Sequence, residues 1–209
     1  MAELRRFIVS PFQTNCYALI SGGQCMVIDP GDRGKDIADQ LLNTNVTLIA
    51  ATHGHNDHVS GVAALKAATG AQFVMSKADY PWAKEHAGKA DSSGQAYGDP
   101  IPEPDRLVED GDTVQFDGIA FKVIATPGHT PGGVVYVGPG FAFVGDTLFK
   151  GSCGRTDLPN GNAQDLAKSL QKLKQVVPPD TTIFCGHGPE TTMEYELQHN
   201  PYLKDQPTD

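Results

Sequence analysis

The sequence has little with which to grip a polyanion or a bilayer. Lys and Arg total 16 against 25 Asp and Glu, for a net charge of −9, and no run of basic residues interrupts that surplus. Nucleic acid and anionic membrane surfaces call for the opposite balance, so neither is expected as a partner. No apolar stretch approaches the roughly 20 residues of a bilayer-spanning helix. The N-terminal Met1-Ala-Glu-Leu-Arg-Arg-Phe7 lacks the apolar core and small-residue cleavage site of a signal peptide. Export is therefore not expected, and the cytoplasm is the expected compartment. Cysteine is sparse: Cys16, Cys25, Cys153 and Cys185 form no CxxC pair, which argues against a disulfide framework and against a thiolate zinc knuckle. Cys16, Cys25 and Cys185 read as small buried hydrophobes, whereas Cys153 sits in a glycine-rich loop. There is no low-complexity tract. The 209 residues, 39% hydrophobic and 20% charged, suit one folded domain over 1–209.

Turn formers are plentiful, with 23 Gly and 15 Pro, so short elements are expected. Leu4 to Val9, Cys16 to Ile20 and Cys25 to Asp29 read as strands, with Asp29-Pro-Gly-Asp32 as a turn. Lys35 to Leu42 carries Ile37, Leu41 and Leu42 at helical spacing. The apolar run Val46 to Ala51 suits a buried strand. Ser60 is placed to cap a helix that ends at Gly70, before a strand over Gln72 to Met75. Gly88 to Asp105 is polar, and reads as a surface loop or as the rim of a pocket. Strands over 113–116, 119–125, 133–137, 141–144 and 181–185 follow. Asn162 is placed to cap a helix bearing Leu166, Leu170 and Leu173, and 191–199 reads as a short helix. Two similar sets of strands and helices pack most naturally as two mixed sheets face to face with helices outside, an α/β fold of αββα sandwich type.

The histidines are unevenly spread. His53, His55 and His58 fall together in Thr52-His-Gly-His-Asn-Asp-His58, just after an apolar strand. The other predicted strand ends carry similar groups: Thr126-Pro-Gly-His129, Gly145-Asp146-Thr147 and Gly186-His187-Gly188. Loops at the carboxyl ends of strands are where α/β proteins place their sites. A loop histidine flanked by glycine has no packing role to account for it. His86 and His199 lack this context and read as solvated. Five imidazoles and two carboxylates exceed the four ligands of one tetrahedral zinc. They suit two divalent metal ions a few ångströms apart, and a nitrogen and oxygen shell favours Zn2+ while admitting iron or manganese.

These ordered motifs resemble those of metallo-β-lactamase superfamily hydrolases, along nearly the whole chain. The resemblance implies that His53, His55 and His129 hold one metal, that Asp57, His58 and His187 hold the second, and that Asp146 bridges them. It also implies the αββα fold. Within the superfamily, Gln13-Thr-Asn-Cys-Tyr17, the segment Gly145 to Asp157 and Gly186-His-Gly-Pro-Glu-Thr-Thr192 resemble the hydroxyacylglutathione hydrolase (glyoxalase II) group. The implied activity is hydrolysis of a small thioester such as S-D-lactoylglutathione by a hydroxide bridging the metals, with Asp57 and Asp146 as catalytic groups. An Asp at 146, where the best-known zinc β-lactamases carry Cys, argues against antibiotic hydrolysis. Arg155 stands where the family offers a Lys to the substrate, and Asp157 where it offers a Tyr. The chain also ends soon after Asn200-Pro-Tyr-Leu203, without the family's C-terminal helical region. A reduced grip on glutathione is expected. Asp29 reads as the start of its turn, with a hydrogen bond to a ligand histidine as the alternative. Mononuclear iron persulfide dioxygenases and lactonases resemble the chain too and are the alternative activities. A homo-oligomer is compatible with the sequence.

Overall fold

The computed structural model describes residues 2–89 and 98–204. The first sheet has the order β1 (Glu3–Val9), β2 (Thr14–Ser21), β3 (Gln24–Ile28), β4 (Asn45–Ala50), β5 (Gln72–Ser76), β6 (Arg106–Val108). The hairpin β1–β2–β3 is antiparallel, and β3 to β6 run parallel. Helices α1 (Gly34–Gln40) and α3 (Val62–Thr69) make the crossovers that parallel neighbours need. Between β4 and α3 lies the single turn α2 (Asn56–Val59), and α4 (Tyr80–His86) follows β5.

The second sheet has β7 (Thr113–Phe116), β8 (Ile119–Ala125), β9 (Val134–Gly138), β10 (Phe141–Gly145), β13 (Thr182–Cys185) and β14 (Thr191–Thr192) in spatial order. A small hairpin, β11 (Leu148–Phe149) and β12 (Ser152–Cys153), leaves its end. Helices α5 (Ala163–Val176) and α6 (Met193–His199) cover its outer face.

Alternation along each strand explains the layers. In β3, Met26 and Ile28 join Tyr17, Phe121, Tyr136 and Phe143 between the two sheets. Cys25 and Val27 face the other way, against Ile37, Val62, Leu65 and Ala83 of the helices. In β10, Phe143 points between the sheets while Ala142 and Val144 meet Leu166, Leu170 and Leu173 of α5. Strands buried on both faces read as unbroken apolar runs. The αββα sandwich follows, and Cys16, Cys25 and Cys185 are buried within it as expected.

Two local readings are corrected, and one strand is added. Ser60 does not cap α3: it ends α2, and Gly61 takes the N-cap because the carbonyl of Pro30 packs against it, leaving 2.6 Å to any Cβ. Arg106–Val108 forms an edge strand, although three residues give no periodicity to read. The Asp29 end of the third strand breaks off at Ile28, since Asp29 turns into the left-handed region at φ 52°. Of the polar 88–105 segment, residues 90–97 lie outside the described residues. Asn162 does cap α5, its side chain accepting from the amides of Gln164 and Asp165.

The end of the fold that carries Asp29 and α2 depends on close backbone approach. A Cβ at Gly31 would overlap the Asp57 carbonyl oxygen. Gly31→Ala should therefore cost about 3 kcal/mol or more of stability by chemical denaturation. Gly70, at φ 71° with open space around it, should lose only about 1 kcal/mol on the same change.

Candidate metal centre

Five strand ends converge at one edge of the sandwich. The loop after β4 brings His53 and His55, and α2 presents Asp57 and His58 one turn later. Loops after β8, β10 and β13 bring His129, Asp146 and His187. The turn after β3 brings Asp29.

All seven expected donors meet there. One atom each of His53, His55 and His129 lies within 4.8 Å of the others, as does one each of Asp57, His58 and His187. Asp146 lies between the two groups. Its Oδ1 is 3.4 Å from His58 Nε2 and its Oδ2 is 3.4 Å from both His129 Nε2 and His187 Nε2. Four histidines turn Nε2 inward because Nδ1 is engaged outside. His129 Nδ1–H donates to the Arg155 carbonyl (2.7 Å), and His187 Nδ1–H to the Phe12 carbonyl (3.2 Å). His58 Nδ1–H donates to Asp29 Oδ2 (3.0 Å), and His53 Nδ1 contacts Thr52 Oγ1 (3.1 Å). Such outer contacts fix tautomer and ring direction.

Inside the ring of donors the polar atoms are poorly satisfied. His129 Nε2 and Asp146 Oδ1 are buried with no hydrogen-bond partner among the described residues. His58 Nε2 faces His187 Nε2 at 3.4 Å. Buried polar atoms normally find partners. Lone pairs aimed at one another, all nitrogen and oxygen, fit divalent cations, so these His and Asp groups are able to bind metal.

Charge is arranged to match. Burial holds His53 well below the usual imidazole range and His55 at about 4, with neighbouring histidines adding to the effect. Burial opposes protonation of His58 too, yet Asp57, Asp146 and Asp29 together raise it well above normal. For His187, hydrogen bonds to Asp146 and Asp57 outweigh burial and push it up to about 9. Burial would raise Asp57, but His58, His187 and the Thr14 hydroxyl (2.8 Å) bring it down to about 2.

Asp29 does more than start a turn. Its Oδ1 accepts the Thr52 amide and its Oδ2 the Thr52 hydroxyl, both at 2.7 Å, besides His58. Of its two readings, the hydrogen bond to a histidine is present, made to His58. Asp79 gave no signal in the sequence. Its carboxylate accepts the amide of Gly54 at 2.9 Å, the amide of Gly132 at 2.6 Å and the hydroxyl of Thr130 at 2.6 Å. A further buried acid, Glu196, accepts from Thr191, Asn200 and the amide of Gly151, and so ties α6 to the β11–β12 hairpin.

The Arg155 guanidinium stands apart from the cluster. It is 62% exposed and forms a bidentate pair with Asp157 at 2.6 and 2.7 Å. His86 stacks on Trp82 and His199 on Tyr195, both away from the centre. Burial pushes the Cys153 thiol up to about 11.

Known proteins resemble the chain in sequence and in fold. The profile of the Metallo-beta-lactamase superfamily matches residues 9–187. The chain belongs to that superfamily. Among its relatives is the hydroxyacylglutathione hydrolase GloC of Haemophilus influenzae, 32% identical over 93% of this chain and 95% of that protein. Two solved structures share the fold. BLEG-1, described as a B3 metallo-beta-lactamase, superimposes with a TM-score of 0.87 at 30% identity, over 97% of this chain and all of that one. TTHA1623, solved in a di-iron-bound form, gives a TM-score of 0.83 at 35% identity, over 95% of this chain and all of that one.

Metal binding should displace protons, because ligating imidazoles must be neutral. In the metal-free protein the carboxylates around His58 and His187 favour their protonated forms, and His187 at about 9 carries a proton at pH 7. Calorimetric titration with zinc, in buffers of different ionisation enthalpy, should show proton release at pH 7. The share that comes from His187 should fade as pH rises through about 9.

Proposed function

We propose that this member of the superfamily is a dinuclear metal-dependent thioester hydrolase of the glyoxalase II kind. The observation that carries this reading is the position of Asp146, whose Oδ2 faces His129 of one group and His187 of the other while its Oδ1 faces His58. His53, His55 and His129 would hold one divalent cation and Asp57, His58 and His187 the other, most readily zinc, with Asp146 shared. Bound there, the cations would supply Lewis acidity, lowering the pKa of a water towards ~7 and polarising a carbonyl. The relationship to GloC supports a thioester substrate.

The chain's own residues account for the rest. Asp57, ionised and braced by the Thr14 hydroxyl, keeps a lone pair to orient the attacking water. Water then adds to the thioester carbonyl, and the carbon–sulfur bond breaks. A thiolate is a good leaving group, with a thiol pKa near ~8.5, so a dedicated acid is not required. The donor set matches this economy, since Cys153 is half-buried with its thiol raised and, among the described residues, no further acid joins the cluster.

Substrate grip falls to Arg155, which is already paired with Asp157. A substrate carboxylate must compete with that pair, and exposed pairs are worth little. Glutathione thioesters should therefore bind weakly and other small thioesters should be accepted.

Purified protein should hold two metals per chain and hydrolyse S-D-lactoylglutathione, while Asp146→Ala should lose at least one metal and most turnover. Faster turnover of a β-lactam or a lactone would reassign the substrate. One iron per chain with persulfide-dependent oxygen uptake would replace the hydrolase reading by a dioxygenase.

Arg155→Ala should raise KM for lactoylglutathione roughly three- to tenfold. The KM for a neutral lactoyl thioester should stay unchanged. Equal effects on both substrates would remove Arg155 from the binding site.

A further inference from the structure

Two loops supply the His53, His55 and His129 group, and they come from different sheets. The first leaves β4 and the second leaves β8, so nothing in the covalent chain fixes their separation. One backbone tie exists, from the Val134 amide to the Thr52 carbonyl at 2.8 Å. It lies at the strand side of the histidines. Beyond it, among the described residues, hydrogen bonds join the loops through one side chain.

That side chain is Asp79, which is 1% exposed. It sits at the N-cap of α4 but caps nothing there. Instead Oδ2 takes the amide of Gly54, the residue between His53 and His55, together with the Thr130 hydroxyl. Oδ1 takes the amide of Gly132. Thr130 directly follows His129. One carboxylate thus bridges both loops, on the side away from the donors, and makes no hydrogen bond with any of the seven. A Cβ at Gly132 would collide with the Asp79 backbone amide, and one at Gly54 would stand 3.1 Å from the Asp79 carbonyl. Both glycines are what allow the approach. Three donors with no cation in hydrogen-bond contact is more than burial of a helix-start acid demands, and the set satisfies loop amides rather than helix amides.

We infer that Asp79 is a positioning residue that sets the span of the His53, His55 and His129 group, so that it governs metal affinity at that group and not at Asp57, His58 and His187. The second group is held by other contacts: Asp29 on His58, Thr14 on Asp57 and the Phe12 carbonyl on His187. This inference rests on the dinuclear reading above and deepens it.

The test uses metal-stripped full-length protein and zinc alone, with affinity measured by competition against a chromophoric chelator. His187→Ala leaves only the first group complete, and His55→Ala leaves only the second. Asp79→Asn keeps the shape but puts an amide N–H against one of the loop amides. In the His187→Ala background, Asp79→Asn should weaken zinc binding about 10- to 100-fold, the usual effect of losing an outer support. In the His55→Ala background it should change binding less than twofold. Thr130→Val removes one donor and leaves the carboxylate, so it should follow the same pattern with a smaller loss, and it decides the matter if Asp79→Asn does not fold. Equal losses in both backgrounds would mean general loosening and would overturn the inference, as would no loss in either. If the unaltered protein binds fewer than two zincs, the dinuclear reading fails, and the His187→Ala comparison still decides the role of Asp79.

Discussion

The structure is organised around a cost that the protein alone cannot offset. Five imidazoles and two carboxylates are gathered in one buried place with their lone pairs facing inward. Desolvating such groups is unfavourable unless each finds a partner. Here the outer atoms are satisfied and the inner ones are not, as His129 Nε2 and Asp146 Oδ1 show. The fold holds this arrangement by bracing five of the seven donors from behind. Asp29, Thr14, Thr52 and the carbonyls of Phe12 and Arg155 fix directions, and the inward faces are left for cations. The sandwich supplies the rigidity, and the hydrophobic layers between and outside the sheets keep the strand ends in register.

Much of this was legible from the order of residues. Strands buried on two faces announce themselves as apolar runs, and the donors sit immediately after such runs, at β4, β8, β10 and β13. Asn162 reads as a helix start because its capping partners are two and three residues away. What escaped reading depends on distant partners. Asp29 meets Thr52 and His58 across 23 and 29 residues. Asp79 meets Gly54, Thr130 and Gly132 across 25, 51 and 53. In sequence both look like turn or cap residues, since Asp-Pro-Gly and Ala-Asp-Tyr-Pro are ordinary turn contexts. The turn α2 and the edge strand β6 are too short to show a period.

Family membership narrows the chemistry without choosing the substrate. Relatives in the same superfamily include a hydroxyacylglutathione hydrolase, a protein described as a B3 metallo-beta-lactamase and one crystallised with two irons. Each of the three matches more than nine-tenths of this chain. In this chain the features around the donors where such proteins can diverge are the Arg155–Asp157 pair, the β11–β12 hairpin that Glu196 and Asn200 hold down, and the exposed Phe12 beside His187. Loops on a rigid scaffold are where such divergence is least costly.

The clasp between the first hairpin and the last ligand also orders events in time. Asn15 reaches the carbonyls of Cys185 and Gly188 across 170 and 173 residues, and His187 leans on Phe12 across 175. Contacts this far apart in the chain form late, because closing so long a loop costs entropy before anything is gained. The His53, His55 and His129 group is complete in the chain some 58 residues before His187 is synthesised. A growing polypeptide thus holds the His53, His55 and His129 side chains while His187 waits for the C-terminal strands. On the dinuclear reading proposed above, chemistry begins only once the last strand has docked.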